Sequence, residues 1–277
     1  MKKLFFAVFT VAAIIATSAC DEIINDNDES GRLVVKVTDD PFPITNVESA
    51  TVTIIKVEIR KAGDGIPDGN PFIVVSEDTM TFNLLELRNG IVEEMLDIEL
   101  PQGKYDLVRL YVYQASLKIK DGDTYDVKVS SGQQTGIKIF IRPGITVEGG
   151  LTSELLLDFD LSRSFVMTGN HHNSSGINGF IFKPVIRAVN LSTTGRIEGL
   201  VTDTEKVILP DAQVWVEQDT IVSTAYTDDS GYYAFIGIPA GTYSLYATKE
   251  SYDTVSYSDI TVTAGNRTVR NFELTLK

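Results

Sequence analysis

His171 and His172 are the two histidines, and Cys20 the one cysteine, in a chain of 277 residues. Nucleophilic catalysis needs a base beside the nucleophile. Both histidines sit in the polar, glycine-bounded stretch GNHHNSSG (169–176). Neighbouring residues on extended backbone point to opposite sides and do not share one ion, so a loop is expected there. Asp158 and Asp160 stand two apart in LLLDFDLSRSF (155–165), which puts both on one face of a strand. Paired carboxylates roughly 5–9.5 Å apart serve glycoside hydrolysis. Leu157, Phe159 and Leu161 occupy the opposite, apolar side, so the expectation is a solvated polar face, with a structural cation or ion-pair role the second reading and a hydrolase the remote one. Asp121, Asp123 and Asp126, and Asp64 and Asp68, read as ordinary acidic turns, with weak calcium binding as the alternative. DNDESG (26–31) imitates the start of a calcium loop, but Val37 stands where the twelfth position requires Glu. No catalytic residue, metal site or cofactor is expected.

Cys20 has no disulfide partner and lies between an apolar and an acidic run. Lys2 and Lys3 precede LFFAVFTVAAIIA (4–16), in which Thr10 is the one polar residue, and the small residues Thr17, Ser18 and Ala19 follow. A positive end, an apolar stretch and a small-residue exit define an export signal. The run is shorter than the roughly 20 residues that a bilayer crossing requires. The spacing resembles a bacterial lipoprotein signal, which implies removal of 1–19 and a diacylglycerol on the Cys20 sulfur. Thr17 departs from the Leu that this pattern prefers, which leaves ordinary cleavage after Ala19 open. Acyl chains contribute about 0.8 kcal/mol per buried CH₂, enough to hold the chain on a membrane. Asp21 and Glu22 resemble the acidic signal that sends some lipoproteins to the outer face of an outer membrane. The expected location is therefore exported, lipid-anchored to the outer membrane and surface-exposed.

The formal net charge is −14, and losing Lys2 and Lys3 makes the remainder more negative. Nucleic-acid binding needs clustered Lys and Arg, so nucleic acid is excluded as a partner. Adhesion to anionic lipid is disfavoured on the same ground. Residues 20–31 carry five acids and read as a solvated tether.

From Arg32 onward the pattern is strand after strand, separated by turn residues. Ala50 to Arg60 alternates but changes phase near Ile54 and Ile55, which predicts a bulge. No segment sustains a 3.6-residue period with caps; Phe82 to Leu87 reads as a single helical turn at most. LPQGKY (100–105) and IPAGTY (238–243) share apolar-Pro-x-Gly-x-Tyr. Proline and glycine set such a turn, and the tyrosine hydroxyl is placed to tie it down. The fold class is all-β: two β-sandwich domains, 32–194 and 195–277, with about seven strands in the second.

GRIEGLVTD (195–203), LPDAQVWV (209–216) and TDDSGYYAFIGIPAGTYSLYATKESY (227–252) resemble the carboxypeptidase regulatory-like domain. The carrying residues include Gly199, Val201, Asp203, Pro210, Ala212, Asp228, Gly231, Tyr233, Phe235, Pro239, Gly241 and Tyr243. The resemblance implies a prealbumin-like seven-stranded sandwich with accessory, carbohydrate-binding-like roles and no catalytic residues. Its pattern turns Ala212, Val214 and Val216 inward and Trp215 outward, and likewise Tyr233 and Phe235 inward and Tyr232 outward. Trp215 and Tyr232 are thereby candidate ligand-binding residues, for a sugar ring or a protein surface; Trp215 covering a domain interface is the plain alternative. VKVTDDP (35–41), LLLDFDLSRSF (155–165) and FKPVIR (182–187) resemble a bacterial domain of unknown function, number 4382, which implies an exported β-rich domain. The combined expectation is a non-enzymatic cell-envelope lipoprotein acting as a binding or accessory module, its partner a glycan or a surface protein. The alternative is a structural or adhesive subunit of a fimbria-like assembly, joined by exchange of a terminal strand at 269–276.

Overall fold

The structure, a computed structural model, describes residues 30–40, 47–63, 72–129, 134–169 and 177–277. Cys20, the leader, most of the tether, Asp64, Asp68 and both histidines lie outside the described residues. In the first unit the strands are β1 (Ser30–Asp40), β2 (Val47–Lys61), β3 (Phe72–Ser76), β4 (Met80–Asn83), β5 (Glu93–Pro101) and β6 (Gly103–Ile119). They continue with β7 (Thr124–Val129), β8 (Ile137–Val147), β9 (Thr152–Asp160), β10 (Phe165–Gly169), β11 (Ile177–Phe182) and β12 (Ile186–Asn190). The second unit holds β13 (Thr194–Asp203), β14 (Gln213–Glu217), β15 (Ile221–Tyr226), β16 (Tyr232–Pro239) and β17 (Gly241–Thr248). It closes with β18 (Val255–Val262), β19 (Arg267–Val269) and β20 (Phe272–Leu274). One four-residue helix, α1 (Leu161–Ser164), and short 3₁₀ turns at Leu84–Glu86 and Leu191–Thr193 interrupt the strands, so the protein is all-β.

In the first unit one twelve-stranded sheet runs β10-β11-β7-β6-β8-β12-β9-β1-β5, with β2 against β6 carrying β3 and β4. Its inner side chains, from Leu33 on β1 through Ile54 on β2 and Leu110 on β6 to Phe159 on β9, share one core, so the sheet wraps over itself. The phase change in β2 is a set of register shifts around Thr53, Ile54 and Lys56 against β6. β9 is parallel to β1 and antiparallel to β12. Its run of Leu155, Leu156 and Leu157 is covered on both sides, the pattern of a strand in the middle of a two-faced layer.

The second unit is a sandwich with its own core, built on Val214, Tyr233, Leu245 and Phe272 among others. One sheet is β16-β13 with β19 and β20, and the other is β15-β14-β17-β18. β19 and β20 both lie parallel to β13, one beyond the other. They are two halves of one interrupted strand, so eight segments occupy seven strand positions. Residues 269–276 are thereby paired within their own chain, with Tyr252 also bridged to Leu276.

Leu156, Val189 and Ala234 are buried but belong to neither core; they form the seam between the units. Gly237, at φ +70°, approaches so closely that a Cβ there would meet Val189 and Leu156 at 3.1 and 3.3 Å. Gly90, at φ +80°, similarly faces Ala234 and the Arg196 guanidinium. A left-handed backbone and a neighbour at contact distance both require glycine.

Candidate functional site

At the carboxylate pair the seam overturns the expectation of a solvated face. Asp158 is buried, at 7% exposure, and Leu156 on the same face is fully buried. The covering layer is the second unit, whose Ser223, Ala234, Phe235 and Ile236 enclose a small polar gap with Thr38, Asp39 and Asp158. Asp158 accepts from Arg187 through Nε at 3.2 Å and Nη2 at 2.7 Å. Burial pushes the Asp158 carboxyl above the usual range, and the Arg187 guanidinium pulls against it. Asp160 instead caps α1, accepting from the Arg163 backbone N–H at 2.9 Å and pairing with the Arg163 guanidinium. The two carboxylates thus serve a charge pair and a helix cap. Asp121 and Asp123 are exposed turn residues, while Asp126 accepts from Gln114 at 2.9 Å.

Trp215 and Tyr232 fall on different sheets, β14 and β16, so they do not form one site. Tyr232 does face outward from its own core, yet that side of β16 is the seam. Its hydroxyl accepts from Arg196 Nη2 at 2.6 Å and donates to Glu198 Oε2 at 3.0 Å. Glu198 also pairs with the Arg196 Nε at 2.7 Å and with Arg267 at 3.1 Å. This network ties β13 to β16 on one side and to β19 on the other.

Trp215 is half-buried on the outer face of β14, between Gln213 and Glu217, with Val214 and Val216 fully buried beneath. Register sets Tyr246 of β17 directly opposite it. The rings stack at 5.0 Å between centroids and 7° between planes. On the other side Trp215 meets Thr224, which puts Tyr226 of β15 on the diagonal. Diagonal neighbours on one face lie about 7–8 Å apart, within reach of aromatic side chains. Register thus sets Tyr226, Trp215 and Tyr246 on one outer face across three strands, a strip in which Trp215 and Tyr246 are in ring contact. Sequence reasoning missed Tyr246. The signal was present in YSLYAT (243–248), where Tyr243, Leu245 and Ala247 turn inward and Tyr246 does not.

A family model described as "Domain of unknown function (DUF4382)" matches residues 30–184, and one described as "Carboxypeptidase regulatory-like domain" matches 196–275. An all-β protein of two packed units is thus a DUF4382 unit followed by a regulatory-like sandwich. The chain belongs to the DUF4382 family. No curated protein matches it. Among solved structures, the shaft pilin SpaA of Lactobacillus rhamnosus GG is 12% identical at a TM-score of 0.26, covering 90% of this chain and 98% of that one. The 3-chlorocatechol 1,2-dioxygenase of Rhodococcus opacus 1CP is 14% identical at 0.26, covering 31% of this chain and 61% of that one. A type II cohesin–X-dockerin complex from Acetivibrio cellulolyticus is 22% identical at 0.24, covering 29% and 56%. The chain spans less than two thirds of the length of these last two. At such scores none of them assigns a function.

Proposed function

We propose that the chain is a non-enzymatic binding or accessory module of the cell envelope, and that the Tyr226–Trp215–Tyr246 strip is its contact surface for a glycan. The observation that carries this reading is the stacked Trp215–Tyr246 pair, partly exposed on a sheet face that Tyr226 shares by register. Flat aromatic faces flanked by polar groups suit the apolar face of a sugar ring. The two carboxylates that a hydrolase would have used are occupied in a charge pair and a cap. The reading includes a leader at 1–19, a lipid on Cys20, an acidic tether at 20–31 and folded units at 32–194 and 195–277. In it the lipid holds the protein on the outer membrane with its sandwiches displayed at the surface. No helix among the described residues is long and apolar enough to cross a membrane.

A glycan array followed by tryptophan fluorescence titration tests the binding surface. Trp215 is the one tryptophan, so a ligand on the strip changes the emission of the whole chain. A response abolished in Trp215→Ala is expected; silence toward every polysaccharide would sink the reading. Metabolic labelling with a palmitate analogue tests the anchor, with label expected on the wild type and lost in Cys20→Ala.

A further inference from the structure

A groove of about 510 Å³ runs where β8 and β12 meet the end of β16 at Gly237 and Pro239. Its wall carries Lys138, Arg142 and Arg187 and no carboxylate, in a chain where acids outnumber bases 38 to 24. Arg187 is neutralised by Asp158. Lys138 and Arg142 are exposed and take part in no ion pair among the described residues. They are the outward positions of KIFIR (138–142), whose Ile139 and Ile141 are buried. Between them stands Phe140, a large aromatic left 52% exposed, with the Arg142 guanidinium 5.8 Å from its ring centre. Exposed aromatic surface in a concave site marks a place where something binds, and the two cations beside it favour an anionic occupant.

The spacing bears on the occupant. Residues four apart on a strand have Cα atoms about 13 Å apart, so a ligand that carries two spaced anionic groups meets both cations without drawing their side chains together. A polymer with recurring charges engages both. The exposed Phe140 ring between the cations suits the apolar C–H face of a sugar ring, which a peptide of Asp and Glu does not present. A nucleic-acid strand does provide rings, but it carries a charge about every 3.4 Å along each strand, far denser than these cations. An acidic polysaccharide in which uronic acids alternate with neutral sugars matches both features.

We propose that this groove binds an acidic, uronate-bearing polysaccharide, with carboxylates on Lys138 and Arg142 and a sugar face on Phe140. The proposal deepens the glycan-binding reading but rests on a different surface from Trp215, so the two fail separately. The test is calorimetric titration of the whole chain with alternating-uronate oligosaccharides (hyaluronan and unsulfated chondroitin fragments), their carboxyl-methylated counterparts, oligoglutamate and oligothymidylate. Saturable binding that weakens with salt is expected for at least one uronate series. It should fall at least about tenfold in Lys138→Glu/Arg142→Glu, the loss of one charge-assisted contact or more, and several-fold in Phe140→Ala, the loss of the aromatic contact. It should survive in Trp215→Ala, which removes only the strip. Three results would overturn the proposal. They are absence of binding to every uronate series, equal binding of the methylated forms or the charge-reversed variant, and tighter binding of oligoglutamate or oligothymidylate. Lys138 and Arg142 are exposed, so the charge-reversed protein should retain its thermal transition, and a loss of binding reports the groove.

Discussion

The hydroxyl of Tyr105 donates to the carbonyl of Pro101, four residues earlier in the chain, at 2.7 Å. Tyr243 repeats this to Pro239 at 2.8 Å in the other unit. Both rings are buried, at 0% and 4% exposure, and burial raises both phenols above their ordinary pKa. The shared Pro-x-Gly-x-Tyr turn is thus a closed loop in which the side chain holds the corner that begins its own strand. Tyr105→Phe and Tyr243→Phe each keep the ring and lose one hydrogen bond. Each should lower stability by about 0.5–1.5 kcal/mol, read as a shift in urea midpoint at unchanged slope. No shift in either would mean the hydroxyls find equivalent partners in water.

The Asp158–Arg187 pair sits beneath the second unit, so its loss is felt at the seam. Asp158→Ala leaves a guanidinium partly buried without its counter-charge. Breaking a buried pair costs about 3–5 kcal/mol; with the Arg187 side chain still 35% exposed, about 2–3 kcal/mol is expected. Hydrogen exchange should rise at β16 and β12 before the cores open. A variant with wild-type protection there would show that the seam does not depend on the pair.

Glu58 predicts an acid limb in the stability profile. Its burial works to raise the carboxyl, but contacts from Lys56, Tyr111 and Arg109 outweigh that and hold it below the usual range. Those contacts measure 3.0, 3.1 and 3.0 Å. A depressed carboxylate stabilises the fold above its unfolded value, about 4.3, and that contribution is lost as pH falls through the folded value. Glu58→Gln should therefore be less stable than wild type at neutral pH and converge toward it below about pH 4. Parallel curves over that range would exclude Glu58 as the source.

The Trp215–Tyr246 stack is measurable without a ligand. A double-mutant cycle of Trp215→Ala and Tyr246→Ala should return a coupling of about 0.5–1.5 kcal/mol, the usual worth of an aromatic pair beyond its buried area. Zero coupling would mean that the rings do not stack in solution, and the strip would lose its centre.

Much of this fold was legible from alternation and turn chemistry, and the reasons are local. The phase change in Ala50 to Arg60 announced a bulge because one extra residue flips every later side chain. The paired Pro-x-Gly-x-Tyr turns announced even their hydroxyl bonds, since donor and acceptor lie four residues apart. Asp158 was misread because its cover comes from Ser223, Ala234 and Ile236, far along the chain. A single strand's alternation cannot say what lies on its second face. Trp215 was correctly turned outward, but its partner Tyr246 depends on register between β14 and β17, which no single strand carries. For the same reason KIFIR reads as an ordinary strand until β12 and the end of β16 enclose it.

The seam at Leu156, Val189 and Gly237 bears on how such chains diversify. A family member whose first unit is not followed by a sandwich has no reason to keep apolar side chains at the positions of Leu156 and Val189. Polar residues there would mark a unit that lives alone, and apolar ones a unit that travels with a companion. Two positions on neighbouring strands could thus sort relatives by architecture before the rest of their sequence is read. In the same way, a glycine at the position of Gly237 would signal a sandwich that docks, and a bulkier residue there one that has been freed.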